Sequence, residues 1–310
     1  MDFPFQLQIG REFDAVGFGT NAVDFLIRVP EYPAFDSKIE LTDYVQAAGG
    51  EIATSMVSLQ RLGLKTCYVG RFGDDAAGDF GLQTLRAEGV DVTFAEQVKD
   101  AATQIAFILI DIKSGERTVI WKRDHKLAYS AAEAPVSLVS KTTALHITPH
   151  DTYACIALAR EAKKHGTVLS IDLDNLFEGI EELLPLVDIM ITSAELPARM
   201  FGISNERESL IALHKKYGAP VVGITLGEAG SLLLCNGEFI ETPGFAVPNG
   251  CKDTTGAGDS FRAGLLYGLS KGESVEESAR IANAVAALKC RDIGARTALP
   301  TPEELRALIQ

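Results

Sequence analysis

TVLSIDLDNLFEGIEELLPLVDIMITS, residues 167–193, decides the fold. It opens and closes on short apolar runs, TVLSIDLD (167–174) and VDIMITS (187–193), with the helix-like EGIEELLPL between them. Apolar runs without polar alternation are strands buried on both faces, and two such strands joined by a helix are parallel. The pattern continues on either side. DTYACIALAREAKKHG (151–166) precedes the unit as an amphipathic helix, and IALHKKYGAP (211–220) leads into another strand, VVGITLG (221–227). This alternation predicts an α/β sandwich built from right-handed crossovers.

Two stretches break the rhythm. Residues 24–46 and 101–123 read as strands and turns with no helix between them, and Lys113-Ser114-Gly115-Glu116 reads as a hairpin turn. They predict a small antiparallel sheet standing off the main body as a lid, within one domain spanning residues 1–310. Toward the C-terminus, Ser274 with Glu277 and Thr301 with Glu304 have the spacing of capping boxes, and Pro302 stands at a first helical position.

Bulk composition excludes several classes. A chain of 310 residues with 46% hydrophobic and 23% charged residues has the balance of an ordinary globular protein. The net charge of −13, without a long basic run, argues against a nucleic-acid partner. No apolar run reaches the roughly 18 residues of a membrane span, and the N-terminus does not read as a signal peptide. Cys67, Cys155, Cys235, Cys251 and Cys290 are scattered and form no CxxC, the pattern of free thiols in a reducing compartment. A cytoplasmic protein is expected.

The strongest chemical signal is DTTGAGDSF, Asp253 to Phe261. Gly256, Ala257 and Gly258 let the backbone approach a ligand closely, and their N–H groups join the positive end of the helix that follows, forming an anion hole. Asp259 falls in the first turn of that helix. An isolated Asp there would only favour the helix dipole. Beside an anion hole it is better explained as the base that removes a hydroxyl proton while the N–H groups stabilise a phosphoryl group.

DTTGAGDSF resembles the C-terminal motif of the ribokinase-like (PfkB) family of carbohydrate kinases. AAGGEIATSMVSLQRLGLKTCYVGRFGDDAAGDF (47–80) is similar to the family's N-terminal region, TLGEAGSLL (225–233) to its nucleotide-binding strand-turn, and ANAVAALKCRDIGA (282–295) to the helix flanking the adenine. The resemblance implies a three-layer α/β sandwich with a β-sheet lid, and transfer of the γ-phosphoryl of ATP, with Mg2+, to a hydroxyl of a sugar. It implies Asp259 as base, Asp24, Gly49 and Gly50 on the substrate, and Thr225, Gly227 and Asn283 around the nucleotide. Asp253 and Thr255 match positions where many members bind a monovalent cation such as K+ through backbone carbonyls. A nucleoside kinase, or a non-catalytic ligand-binding or regulatory protein of the same fold, is the alternative.

The spacing of EYPAFDSKIE (31–40), SGERTVIWKRD (114–124) and ALHITPHD (144–151) resembles the ketohexokinase and fructokinase branch, which adds Asp36 as a second sugar-binding carboxylate. Lids of this kind often pair between two subunits in the family, so a homodimer is open. Three features depart from the pattern. Glu51 and Thr54 stand where that branch places Asn residues after the Gly-Gly pair; Thr54 is kept as a substrate contact. The Asn-x-x-Glu motif that organises magnesium reads Ser193-Ala194-Glu195-Leu196, with Glu195 one position out of register. Thr148, Pro149 and His150 have no assignable role. An uncharged or carboxylated sugar is expected rather than a sugar phosphate, because Lys38 is the nearest base to the sugar residues and only Arg123 could reverse this.

Two other patterns lead elsewhere. Gly17 to Ala22 fits a dinucleotide GxGxxA, but the strand-like, proline-interrupted DFLIRVPEYP follows it in place of the required helix. His146 and His150 have i,i+4 spacing, but Pro149 intervenes and no carboxylate partner accompanies them.

Overall fold

The computed structural model describes residues 1–113 and 117–310, so most of the turn expected at 113–116 lies outside the described residues. In chain order the elements are β1 (Phe13–Phe18), β2 (Ala22–Val29), β3 (Asp43–Gly49), α1 (Glu51–Arg61), β4 (Thr66–Val69), β5 (Arg71–Gly73), α2 (Ala76–Ala87) and β6 (Glu96–Val98). There follow β7 (Ile105–Asp111), β8 (Arg117–Lys122), β9 (Thr142–Ile147), α3 (Thr152–His165), β10 (Val168–Leu173), α4 (Ile180–Leu183), β11 (Ile189–Ser193), α5 (Glu195–Phe201) and α6 (Glu206–Tyr217). The chain ends with β12 (Val221–Thr225), β13 (Gly230–Cys235), β14 (Glu238–Pro243), α7 (Ala257–Ser270), α8 (Val275–Lys289) and α9 (Pro302–Ile309).

The main sheet has eight strands in the order β14-β13-β12-β11-β10-β9-β1-β4. From β12 to β4 every pairing is parallel, as the crossover pattern requires. The β13 and β14 pairings are antiparallel, so one edge departs from the all-parallel expectation. Two apolar layers cover the sheet. One packs α3 and α6 residues such as Ile156 and Leu213 against Val16, Ile171 and Val222. The other packs Met56 of α1 and Leu265 of α7 against Ala15, Ile191 and Leu233. Both faces are covered, which is why these strands are mostly apolar, and the buried polar His146 and Ser170 pair with each other across β9 and β10 at 3.1 Å.

A separate four-stranded sheet, β3-β2-β7-β8, is built from the two segments that break the alternating pattern. Register places Asp24, Ala106 and Trp121 on one face, and Phe25, Phe107 and Ile120 on the other. The first face looks into the molecule. Where the dinucleotide pattern would need a helix, Ala22 begins β2. Gly17 lacks a side chain because a Cβ would stand 2.5 Å from Ile52. It is a packing glycine. Thr301 and Glu304 form the reciprocal capping box, whereas Ser274 accepts only from the Glu277 N–H.

Candidate active site

The turn Asp253–Gly256 brings the chain to the start of α7. Gly256 has φ +80, and a Cβ there would lie 2.9 Å from that of Ala295, so both the left-handed backbone and the crowding demand glycine. The Ala257 N–H turns back to the Thr254 carbonyl at 3.1 Å. That donor, expected in the anion hole, is engaged within the turn, while Gly256 lines one cavity beside α7 and Ala257 another.

Asp259 forms part of the floor of a cavity of about 500 Å³ that runs under the second sheet. Burial raises its carboxyl to about 6; Arg262 opposes the rise and Asp174 adds to it. Arg262 is buried, with one nitrogen 2.8 Å from Asp172 Oδ1 and 3.2 Å from Asp174 Oδ1, and its Nε donates to the Ile191 carbonyl. Burial pushes Asp172 well above the carboxylate range despite that arginine. Both acids end strand β10, at the carboxyl edge where open α/β sheets bind ligands.

Asp24, on β2, stands across the same cavity and is 6% exposed. Burial raises it to about 6, and Arg296 opposes the rise. Arg296 is itself buried and donates to the Gly49 carbonyl and to Thr54 Oγ1 at 3.3 Å. Thr54, expected as a substrate contact, is fully buried, accepts from Arg296 and does not line the cavity. Gly50 lines the cavity, and Gly49 lies behind Asp24. Glu51, first in α1, also lines the cavity and accepts from Thr20 Oγ1 at 2.8 Å; burial, then Asp259 and Asp174, raises it to about 7.

Asp36 is not brought to this cavity. It is exposed, with φ +56, on the loop between β2 and β3. Arg123 turns away as well, forming a two-pronged ion pair with the carboxylate of Asp151 at 2.8 and 2.9 Å. The one cationic side chain that lines the cavity, among the described residues, is Arg117 of β8, which hydrogen-bonds Thr254 across the gap. Trp121, His150 and Phe177 form an aromatic wall, the His150 ring 4.7 Å from Phe177 and 6.1 Å from Trp121.

A second cavity, of about 700 Å³, lies on the other side of the α7 N-terminus. Gly227, Asn283, Thr254 and Ala257 line it with mostly apolar neighbours such as Phe245 and Val247. Thr225 ends β12 behind this wall and does not line the cavity. The Asn283 amide donates to Ser231 Oγ and the Thr242 carbonyl, tying α8 to β13 and β14. Glu195 is exposed in the first turn of α5 and lines neither cavity. Among the described residues no three His, Cys, Asp or Glu side chains form a metal cluster.

Asp253 ties its own turn together. Asp253 Oδ1 accepts from the Thr255 N–H and Oδ2 from the Gly294 N–H, both at 2.8 Å. The Asp253 backbone carbonyl, where the resemblance places a monovalent cation, accepts from the ammonium of Lys289 at 2.8 Å.

The chain belongs to the pfkB family of carbohydrate kinases, whose family model matches residues 14–302. It is 31% identical to the fructokinase of Escherichia coli, over 84% of this chain and 91% of that one. It is 28% identical to the ribokinase of Haemophilus influenzae, over 92% of this chain and 95% of that one. In three dimensions it is similar to Arabidopsis thaliana ribokinase complexed with ribose and ATP, with TM-score 0.84, 24% identity and coverage of 96% and 99%. The protein is a carbohydrate kinase of the ribokinase-like fold. No helix among the described residues is long and apolar enough to cross a membrane.

Proposed function

We propose that the protein transfers the γ-phosphoryl group of ATP to a hydroxyl of an uncharged sugar, with Asp259 as general base. One observation carries this reading: two cavities meet at the N-terminus of α7, with Asp259 and Gly256 facing one and Ala257 facing the other. ATP fits the larger, mostly apolar cavity with its phosphates at the turn. The sugar fits the smaller cavity, whose carboxylates accept hydrogen bonds from hydroxyls.

In this arrangement Asp24 fixes the sugar and Asp259 takes the proton of the attacking hydroxyl. The oxygen then attacks the γ-phosphorus in line as the bond to the leaving ADP breaks. The N–H groups of Gly256 and Gly258, at the positive end of α7, meet the transferred phosphoryl oxygens. Arg117 faces the seam from β8. Asp172 and Asp174 line the cavity and would hold an Mg2+ ion carried on the phosphates, with Arg262 2.8 Å and 3.2 Å from them. Bound there, it would neutralise charge on the phosphates. The sheet β3-β2-β7-β8 acts as the lid, since Asp24, Ala106, Ile108, Val119 and Trp121 all face the sugar cavity from it.

The proposed substrate is neutral because five acids, Asp24, Glu51, Asp172, Asp174 and Asp259, line the cavity, with Arg262 paired to Asp172 and Asp174 from behind and Arg117 as the cation on the lining itself. An anionic group would meet that field without a clustered basic partner. The outer face of the lid supports a homodimer: Tyr44, Phe107 and Ile120 are 63%, 40% and 55% exposed there beside Phe25. A cytoplasmic setting is consistent with five free cysteines.

An ADP-release assay across neutral sugars, sugar acids, nucleosides and sugar phosphates tests the reading. Turnover is expected with neutral sugars. A preference for a sugar phosphate, or ADP release with none of the panel, would overturn it.

A further inference from the structure

Lys289 is the last residue of α8, and its side chain is wholly buried. A buried ammonium carries three donors and a full charge, and it persists inside a protein only where acceptors and countercharge are built around it. Here the ammonium donates to the Asp253 carbonyl at 2.8 Å and lies 3.8 Å from Asp253 Oδ2. Asp253 in turn holds the N–H groups of Thr255 and Gly294. The charge of Lys289 therefore sits under the loop that delivers Gly256 and Gly258 to the phosphoryl group. It holds a carbonyl at which the family resemblance implies an inorganic cation.

We infer that the Lys289 ammonium is the resident monovalent cation of this kinase, a positioning residue that shapes the anion-hole loop and makes turnover independent of K+. An ammonium head and a potassium ion carry the same single charge and both bind carbonyl oxygens. The lysine differs in being covalently tethered, so it needs no occupancy from solution. A second cation at the Asp253 carbonyl would meet the repulsion of the first.

The inference rests on the kinase reading for its kinetic arm, and a thermal arm stands without it. Wild-type protein and Lys289→Ala are compared in tetramethylammonium chloride and in KCl at equal ionic strength. The wild type is expected to show the same turnover and the same Tm in both salts. Lys289→Ala is expected to lose about 10- to 100-fold in kcat in tetramethylammonium, the scale of an ångström-level misplacement. KCl or NH4Cl should restore much of that loss and raise the variant's Tm, with LiCl restoring less. Lys289→Met, closer in volume, replaces the alanine variant if that one does not fold. Activation of the wild type by K+ of about fivefold or more would overturn the inference. So would a folded variant that neither K+ nor NH4+ rescues in turnover or in Tm, because that would make Lys289 a purely structural residue.

Discussion

The carboxylate of Asp24 occupies the space that a side chain on Gly49 would need: a Cβ on Gly49 would stand 1.9 Å from Asp24 Oδ2. Two adjacent strands, β2 and β3, are therefore fitted so that a missing side chain on one makes room for the carboxylate of the other, the group proposed to bind the sugar. Gly49→Ala is expected to rotate Asp24 out of the cavity and to lower kcat/KM for the sugar by about 10- to 100-fold, the scale of a lost charged hydrogen bond. Steady-state kinetics with sugar varied, alongside KM for ATP, check this. An unchanged sugar KM would remove Asp24 from the binding role.

Asp259→Asn should lower kcat by about 10²–10⁴-fold while ATP binding stays near wild type. Calorimetric titration with ATP beside the turnover measurement separates the two. A variant within a few-fold of wild type would show that another group takes the proton.

The same residue predicts two opposite pH effects. Burial raises Asp259 to about 6 from an ordinary 3.8, so the ionised base is the minority form below about pH 6 and activity should climb through that pH. For stability the sign reverses. The folded state favours the protonated carboxyl, so ionisation above about 6 weakens the fold relative to a neutral side chain. Asp259→Asn should therefore have a higher Tm than wild type above about pH 6, with the difference fading as pH falls toward 3.8. A variant less stable than wild type at pH 8 would contradict this.

Arg123 and Asp151 form a pair that is largely shielded from water, with side chains 18% and 5% exposed. Arg123→Ala leaves Asp151 without its partner and should destabilise the protein by about 3 kcal/mol. The ranking of fructose, ribose and 2-keto-3-deoxygluconate against fructose 6-phosphate should not change. Denaturant titration and a competition assay read the two effects. A switch of preference in the variant would return Arg123 to the substrate site.

If the outer face of the lid is an interface, Tyr44→Lys combined with Ile120→Lys should convert a dimer into a monomer without altering the sugar cavity, which lies on the opposite face. Light scattering across a dilution series decides this. A wild type that is monomeric throughout would rule the interface out.

The parallel core was legible because β10, β11 and β12 are short and mostly apolar, and the turn before α7 because Gly-Ala-Gly stands directly ahead of an amphipathic segment. The antiparallel edge was harder to see. β13 is as apolar as its parallel neighbours, and only the short turn after β12 distinguishes a hairpin from a crossover. Asp172 and Asp174 went unassigned although two acids at the end of a buried strand were a usable signal. The burial of Thr54 was not legible because its partner, Arg296, lies far along the chain. Arg262, Arg296 and Lys289 were unreadable, since a buried cation is defined by partners distant in sequence: Arg296 reaches Gly49, and Arg262 reaches Asp172 and Asp174.

The position of β1 has a kinetic meaning as well. This strand leaves the ribosome before β4 and β9, yet it lies between them in the finished sheet. Residues 66–69 can cover one edge early, whereas the other stays open until residues 142–147 have been synthesised. Throughout that interval an apolar strand, Phe13–Phe18, presents unpaired N–H and C=O groups to any other nascent chain. Slow or interrupted translation across the lid segments would lengthen the interval. Yield in a cell should therefore depend on chaperone supply and on the pace of synthesis between β4 and β9 more than on the stability of the finished enzyme.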